Sequence, residues 1–266
     1  MFTLNGVTLK YQSRVLINIP QLTILQGGFT ALIGPNGAGK TTLLTLLAGD
    51  AEPTSGNILF NGVPLSQYSV SELSTKRSVL PQTEHIPFAL NARAIILMGL
   101  MPHQVEAQHP DVEPLLKDLV TTLELEKIIE QPYQRLSGGE QHRVQIARVL
   151  IQTLFTKTQN NLTLREKVML LDEPFNHLDL YHQQQLLRYF KKLTQMGLTI
   201  ICVMHDLNHA LQVSDRLILL KGGEIVGEHT PTQLWQSKKL EEVFKVNFIT
   251  LNDPQDSSFS TLSFKI

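Results

Sequence analysis

Cysteine is almost missing from this chain of 266 residues: Cys202 stands alone. That excludes an intramolecular disulfide framework and any cysteine-rich zinc site, and it fits a reducing compartment. Net charge is almost missing too. The 23 Lys and Arg against 24 Asp and Glu leave a formal charge of −1. A protein that grips nucleic acid by bulk charge is therefore disfavoured, and no nucleic-acid partner is expected. No apolar run reaches the roughly 18 residues that a membrane span needs; the stretches around 92–101 and 198–204 come nearest and fall short. The opening Met1–Gly6 lacks a charged segment followed by an apolar one, so no secretory signal is expected. These absences together predict a soluble, cytoplasmic chain that reaches a membrane only through a partner. What is present, 42% hydrophobic and 18% charged residues, is a globular profile. The length allows one large domain or two small ones, and no internal repeat or low-complexity block interrupts it.

The apolar pattern alternates between strand and helix. Residues 2–10 and 15–19 read as strands, and Phe29–Ile33 as a short buried strand that ends at a glycine. Leu43, Leu44, Leu46, Leu47 and Ala48 follow with helical spacing, closed by Gly49. Asn61-Gly62 between residues 57–60 and 63–65 is a strong hairpin signal. Ser78–Pro81 is one more buried strand, ending at Gln82. Helical patterns then dominate over 91–101, 111–123 and 137–154, after which 156–167 is polar and loop-like. Short apolar runs return at 168–171, 199–203 and 216–220 around a helix over 180–196. Strands alternating with helices predict a parallel α/β sheet carrying a helical insertion. A terminal hairpin is expected from 248–251 and 259–264.

Three stretches carry chemistry. Gly34-Pro35-Asn36-Gly37-Ala38-Gly39-Lys40-Thr41 matches G-x-x-x-x-G-K-[ST], between a strand and a helix that runs on through Thr42. The glycines let successive backbone N–H groups face one phosphate, and the helix N-terminus favours the anion. In that pattern Lys40 reaches the β- and γ-phosphates and the Thr41 hydroxyl ligates Mg²⁺. The second stretch is Val168-Met169-Leu170-Leu171-Asp172-Glu173, an apolar strand that delivers two adjacent acids. Neighbours on a strand point to opposite sides. Asp172 is therefore expected to face the Mg²⁺ and Glu173 to face the γ-phosphate and polarise a water. The third is Leu136-Ser137-Gly138-Gly139-Glu140-Gln141, ahead of an amphipathic run. Ser137 and Glu140 have the spacing of a capping box, and Ser137, Gly138 and Gly139 form a second candidate phosphate-binding helix start. One nucleotide needs only one phosphate loop, so a second anion site suggests a ligand shared between two subunits.

Phosphate loop, LSGGEQ, LLLDE and a later His-Asp pair, in this order, resemble the nucleotide-binding subunit of an ABC transporter. The resemblance runs from Tyr11 to about Asp215 by motif and to about residue 250 by texture. It implies a P-loop NTPase (RecA-like) parallel-sheet core with an antiparallel β edge and an inserted α-helical subdomain. The core would comprise about 1–83 and 160–235, the helical subdomain about 84–159, and a C-terminal extension about 236–266. ATP and Mg²⁺ are the implied ligands. Residue by residue, Tyr11 matches the aromatic that stacks on adenine. Gln82 matches the glutamine that contacts Mg²⁺ or the attacking water. Glu173 matches the general base, His205 the switch histidine, and Asp179 the acid of the loop after the carboxylate pair. Ser137, Gly138, Gly139 and Glu140 match the signature that completes the partner's site. That loop reads Asn176-His177-Leu178-Asp179 where many members have Ser-Ala-Leu-Asp, which leaves Asp179 in register and His177 without a role. Cys202 is expected to be a core residue.

The resemblance also implies partners: a head-to-tail homodimer closing on two ATP, an integral membrane permease dimer, and indirectly a periplasmic or surface substrate-binding protein. The location implied is the cytoplasmic face of the inner membrane, as a peripheral subunit. Finer stretches resemble importers of iron complexes and cobalamin, and within these the heme importers best: Leu47–Asp50, Lys76–Gln82, Met98-Gly99 with Pro102-His103, and Gln145–Leu150. Cobalamin and ferric siderophore remain alternative cargoes, and a soluble ABC ATPase of cofactor assembly is the alternative of another class. His103, His109, His142 and His177 are expected to be exposed surface histidines, not heme ligands.

Overall fold

A computed structural model describes residues 1–82, 86, 89–155, 163–252 and 260–264. Its centre is a six-stranded sheet in the order β10-β9-β3-β8-β7-β6. Strands β3 (Gly28–Ile33), β6 (Arg77–Leu80), β7 (Val168–Asp172), β8 (Thr199–Val203) and β9 (Arg216–Lys221) run parallel. β10 (Glu224–His229) closes one edge antiparallel to β9. A separate four-stranded antiparallel sheet in the order β2-β1-β4-β5 comprises β1 (Phe2–Tyr11), β2 (Arg14–Ile24), β4 (Ser55–Phe60) and β5 (Val63–Pro64). At the Asn61-Gly62 turn both residues have positive φ, 50° and 82°, as a tight β-hairpin requires.

The parallel strands read as unbroken apolar runs because both faces are covered. Successive residues feed opposite cores. Leu32, Val168, Leu170, Ile201, Val203, Ile218 and Leu220 pack toward helix α1 (Lys40–Ala48) and the antiparallel sheet. Ala31, Ile33, Met169, Leu171, Ile200, Cys202, Leu217 and Leu219 pack toward the other helices. Cys202 is fully buried there, as expected of a core residue. Truncating one such leucine to alanine costs about 2–5 kcal/mol.

The helices of that second layer are α3 (Ala92–Leu97), α4 (Val112–Thr122), α5 (Gly138–Leu154), α6 (Leu180–Gln195), α7 (Leu207–Val213), α8 (Pro231–Gln236) and α9 (Lys239–Phe244), while the short α2 (Val70–Lys76) precedes β6. The helix expected over 91–101 stays α-helical only to Leu97 and continues as a 3-10 turn over Met98–His103. Gly99 meets α5 there. A Cβ on it would sit 2.3 Å from the Arg148 carbonyl oxygen, and Pro102 follows. The strand expected over 15–19 runs on to Ile24 because β1 pairs with it along that length. The expected terminal hairpin is present as β11 (Phe248–Asn252) and β12 (Ser260–Phe264). Of the polar segment 156–167, residues 156–162 lie outside the described residues, and Leu164–Glu166 form a 3-10 turn. Among the described residues no helix is long and apolar enough to cross a membrane.

Candidate nucleotide-binding site

β3 leads straight into the glycine-rich loop, and the loop's shape is fixed by the sheet beneath it. Gly34 has φ 154°, and a Cβ there would stand 2.2 Å from the Leu220 carbonyl oxygen, so no larger residue fits. Gly39, the N-cap of α1, has φ 100° in the left-handed region that glycine enters freely. Nζ of Lys40 donates to the Gly34 carbonyl at 2.9 Å and to the Pro35 carbonyl at 3.2 Å, folding the side chain back under the loop. Burial holds the Lys40 ammonium below its ordinary value, while Glu173 and Asp172 pull it back up.

This loop floors an open cleft of about 800 Å³ lined by Arg14–Leu16, Asn36–Thr42, Gln82, Glu173, His205 and Gly222. Asn36, Gly37, Ala38, Gly39, Lys40, Thr41 and Thr42 are thus brought together with Gln82, Glu173 and His205, as the sequence predicts. Asp172 ends β7 beneath that lining and is 2% exposed. Its Oδ1 is buried with no hydrogen-bond partner. Burial raises its carboxyl above the usual range, and a hydrogen bond from the Thr41 side chain partly offsets this. A buried carboxylate oxygen without a partner, beside a threonine hydroxyl, fits a hard divalent cation such as Mg²⁺.

Glu173 departs from the strand alternation expected of it. Its φ is 55°, so the chain turns left-handed after Asp172 and swings the carboxylate into the cleft. For a non-glycine residue that conformation costs of order 1–3 kcal/mol and collects at functional sites. Both carboxylate oxygens are engaged: His205 Nε2 donates to Oε1 and Asn176 Nδ2 donates to Oε2. His205 follows β8 and is exposed on the cleft side.

The remaining candidates lie away from the cleft lining. Tyr11 is 68% exposed at the end of β1. Ser137 caps α5 in the anticipated box: its Oγ accepts from Glu140 N at 3.4 Å, and Glu140 Oε2 accepts from Ser137 N at 2.8 Å and from Ser137 Oγ at 2.7 Å. Those bonds hold the Glu140 carboxyl below its ordinary value. Asp179 caps α6, accepting from His182 N at 2.9 Å and from His182 Nδ1 at 2.8 Å, and its carboxyl is likewise held low.

Three of the four histidines expected on the surface are half-buried instead. His103 Nε2 bonds the Gln152 carbonyl at 2.7 Å, and the His103 and His109 rings pack on Phe155. His142 Nε2 donates to the Pro174 carbonyl at 2.8 Å. Only His177 of the four is exposed. Sequence reasoning also passed over Arg14, Val15, Leu16 and Gly222, which line the cleft. The Lys221-Gly222-Gly223-Glu224 turn was the available signal, for Gly223 N donates to the Ala38 carbonyl at 2.9 Å and ties the β9–β10 turn to the loop.

Comparison with known proteins fits this geometry. The family described as "ABC transporter" matches residues 17–176. The chain belongs to that family. It is an ATPase coupled to transport. A relative named "Hemin import ATP-binding protein HmuV" from Hahella chejuensis is 38% identical over 94% of both chains. One of the same name from Escherichia coli O157:H7 is 32% identical over 97% of both. Among solved structures, a dimeric ATP-binding cassette in a post-hydrolysis state with ADP and Pi superposes at TM-score 0.74 with 26% identity, covering 87% of this chain and 99% of that one. An inward-facing, putative metal-chelate type ABC transporter shares the fold at TM-score 0.77 with 23% identity, over 100% of this chain and 97% of the other. The parallel core with antiparallel strands and helices is that of a P-loop NTPase, as the motif order predicts.

Proposed function

We propose that this chain is the ATP-hydrolysing subunit of a hemin importer, working as a head-to-tail homodimer beneath a dimeric membrane permease. One observation carries the dimer: the phosphate loop, Gln82, Glu173 and His205 line one cleft, while Ser137–Glu140 and Asp179 of the same chain lie outside that lining. A second copy turned by a two-fold axis brings its Ser137–Gly139 helix start to the open side of the cleft and makes two identical composite sites. In this reading the loop N–H groups and Lys40 hold the phosphates, and Tyr11 stacks on the adenine. Thr41, Asp172 and Gln82 would hold Mg²⁺, whose charge stabilises the phosphoryl oxygens. Glu173 orients the attacking water and takes its proton. His205 donates to Glu173 before the nucleotide arrives and turns to the γ-phosphate once the dimer closes. Most of the rate then comes from positioning and fixed charge.

The boundaries proposed for this machine are a core of about 1–83 and 160–235, a helical subdomain of about 84–159 that docks the permease, and a C-terminal extension of about 236–266. Its place is the cytoplasmic face of the inner membrane, with a substrate-binding protein acting on the permease from the other side. Hemin as cargo is supported by the names of relatives that match nearly the whole chain.

A deletion strain of the source organism tests both halves. Grown with hemin as its iron source, it should fail, be rescued by the intact gene, and not be rescued by Glu173→Gln. Normal growth on hemin with failure on a siderophore or on cobalamin-dependent medium would replace the cargo and leave the ATPase standing. In vitro, Glu173→Gln should accumulate an ATP-bound dimer on size exclusion; normal hydrolysis by that variant would remove the role given to Glu173.

A further inference from the structure

The C-terminal hairpin ends on the helix that follows His205. In β12, Leu262 stands opposite Thr250 of β11. Leu262 N donates to Oδ1 of Asn208 at 2.7 Å, and the Leu262 carbonyl accepts from Asn208 Nδ2 at 3.2 Å. Both backbone groups of Leu262 therefore point away from β11 and toward α7. A primary amide offers one donor and one acceptor side by side, so Asn208 satisfies this strand residue as a neighbouring strand would. Leu262 and Phe248 add apolar contact with the same core. A two-stranded ribbon alone is marginal in water, so the hairpin and α7 fix each other.

Asn208 lies three residues after His205, in the first turn of α7. Asp206 caps that turn, its Oδ1 accepting from His209 N at 2.9 Å. On the other side of His205, Met204 N donates to the Leu32 carbonyl at 3.1 Å and pins the chain to β3. His205 is thus suspended between two fixed points, one belonging to the sheet and one to a short helix held by Asn208. Among the described residues, the hairpin contributes none to the cleft lining.

We propose that the C-terminal hairpin is a strut that positions His205 through the Asn208 amide, making hydrolysis depend on an element outside the nucleotide site. Asn208 is a positioning residue, and the inference rests on reading Glu173 and His205 as the hydrolytic pair. Loss of the strut leaves the phosphate loop untouched, so it lowers turnover without weakening ATP binding.

The test is steady-state ATPase kinetics on the full chain, comparing the parent with Asn208→Ala, Leu262→Pro, the double variant and His205→Ala. Proline removes the Leu262 N–H that Asn208 Oδ1 accepts, and that N–H faces away from β11, so the ribbon can carry it. Asn208→Ala and Leu262→Pro should each lower kcat by about tenfold, since small misplacements of a reacting group have effects of that order or larger. KM for ATP should stay within about twofold, and the double variant should be no worse than either single, because the two changes cut one link. Parent-like kcat in both single variants overturns the strut, as does a rise in KM that accounts for the loss of rate. Should His205→Ala itself hydrolyse at the parent rate, the hydrolytic pair falls and the strut with it; a collapse in His205→Ala beside unaffected Asn208→Ala and Leu262→Pro overturns the strut alone.

Discussion

A Cβ placed on Gly139 would lie 2.8 Å from the carbonyl oxygen of His177. The second glycine of the signature helix is therefore a glycine for a reason inside its own subunit: the loop after the carboxylate pair passes over it. His142, three residues further along α5, donates to the Pro174 carbonyl at 2.8 Å and fastens the same loop to the same helix. Gly138 is different, for nothing stands within 4 Å of a Cβ there. Gly139→Ala should thus destabilise the isolated chain by about 1–3 kcal/mol, because the neighbour is backbone and must shift. Gly138→Ala should change stability by less than about 0.5 kcal/mol and act only on the nucleotide-bound dimer. Urea midpoints of the two variants, beside ATP-induced dimerisation, check this. Equal destabilisation by both would mean that the loop does not rest on Gly139.

Asp172 gives a prediction in which stability and activity part. Burial raises its carboxyl in the folded chain, so that group costs stability as pH rises through its folded value, and Oδ1 gains no partner in return. Asp172→Asn removes the buried charge. At pH 7 the nucleotide-free variant should unfold at a urea midpoint no lower than the parent, while Mg²⁺-dependent ATP hydrolysis falls by about 100-fold or more, as expected for losing the ligand of a charge-stabilising cation. A variant that keeps its Mg²⁺ dependence would move the cation elsewhere.

Lys40 makes the complementary case. Its ammonium is tied to the Gly34 and Pro35 carbonyls, which orients it under the loop where a phosphate would stand. Hydrogen bonds to charged groups contribute about 1.5–3 kcal/mol. Lys40→Ala should therefore weaken ATP binding by roughly 10- to 150-fold in a calorimetric titration. Unchanged affinity would separate the loop from the nucleotide.

How much of this could be read beforehand follows from which forces act locally. The five parallel strands were legible because burial on both faces leaves unbroken apolar runs. The phosphate loop and the Ser137–Glu140 box were legible because backbone geometry demands particular residues at fixed spacing. β10 was not: Glu224–His229 is a polar edge strand with an irregular register between Ile225 and Gly227. Its place is set by β9, not by its own pattern. The short helices α2 and α7–α9 were missed for a related reason, each having too few turns to show a period. Glu173 faces the cleft as expected, but the left-handed turn that sends it there was hidden, because strand alternation fails at that point. The half-buried histidines show the same limit, since a ring's surroundings come from segments far off in sequence.

Lys167 is fully buried immediately before β7, and its Nζ donates to the Thr153 carbonyl at 2.7 Å and the Phe155 carbonyl at 2.8 Å. It caps the C-terminal end of α5, so a buried cation joins the signature helix to the strand that carries Asp172. The helix end favours the charge, yet burial wins and pushes the ammonium down to about 8. In the unfolded chain the group titrates near 10.4. Between these values the unfolded state binds more protons than the folded one, so this lysine's contribution to stability rises with pH. Across the whole window the gain has an upper limit of about 3 kcal/mol at about 1.4 kcal/mol per pH unit. Half-buried Tyr189, pushed up to about 12 by its burial, acts with the opposite sign above pH 10. The clean comparison is therefore the parent against Lys167→Met from pH 7.5 to 9.5, by urea unfolding. The parent should gain stability relative to the variant as pH rises, because only the parent sheds the cost of an ammonium held out of water. A parent stability that stays flat, or falls, relative to the variant as pH rises would mean that the two carbonyls and the helix end fully compensate the burial, leaving the charge in place throughout the range.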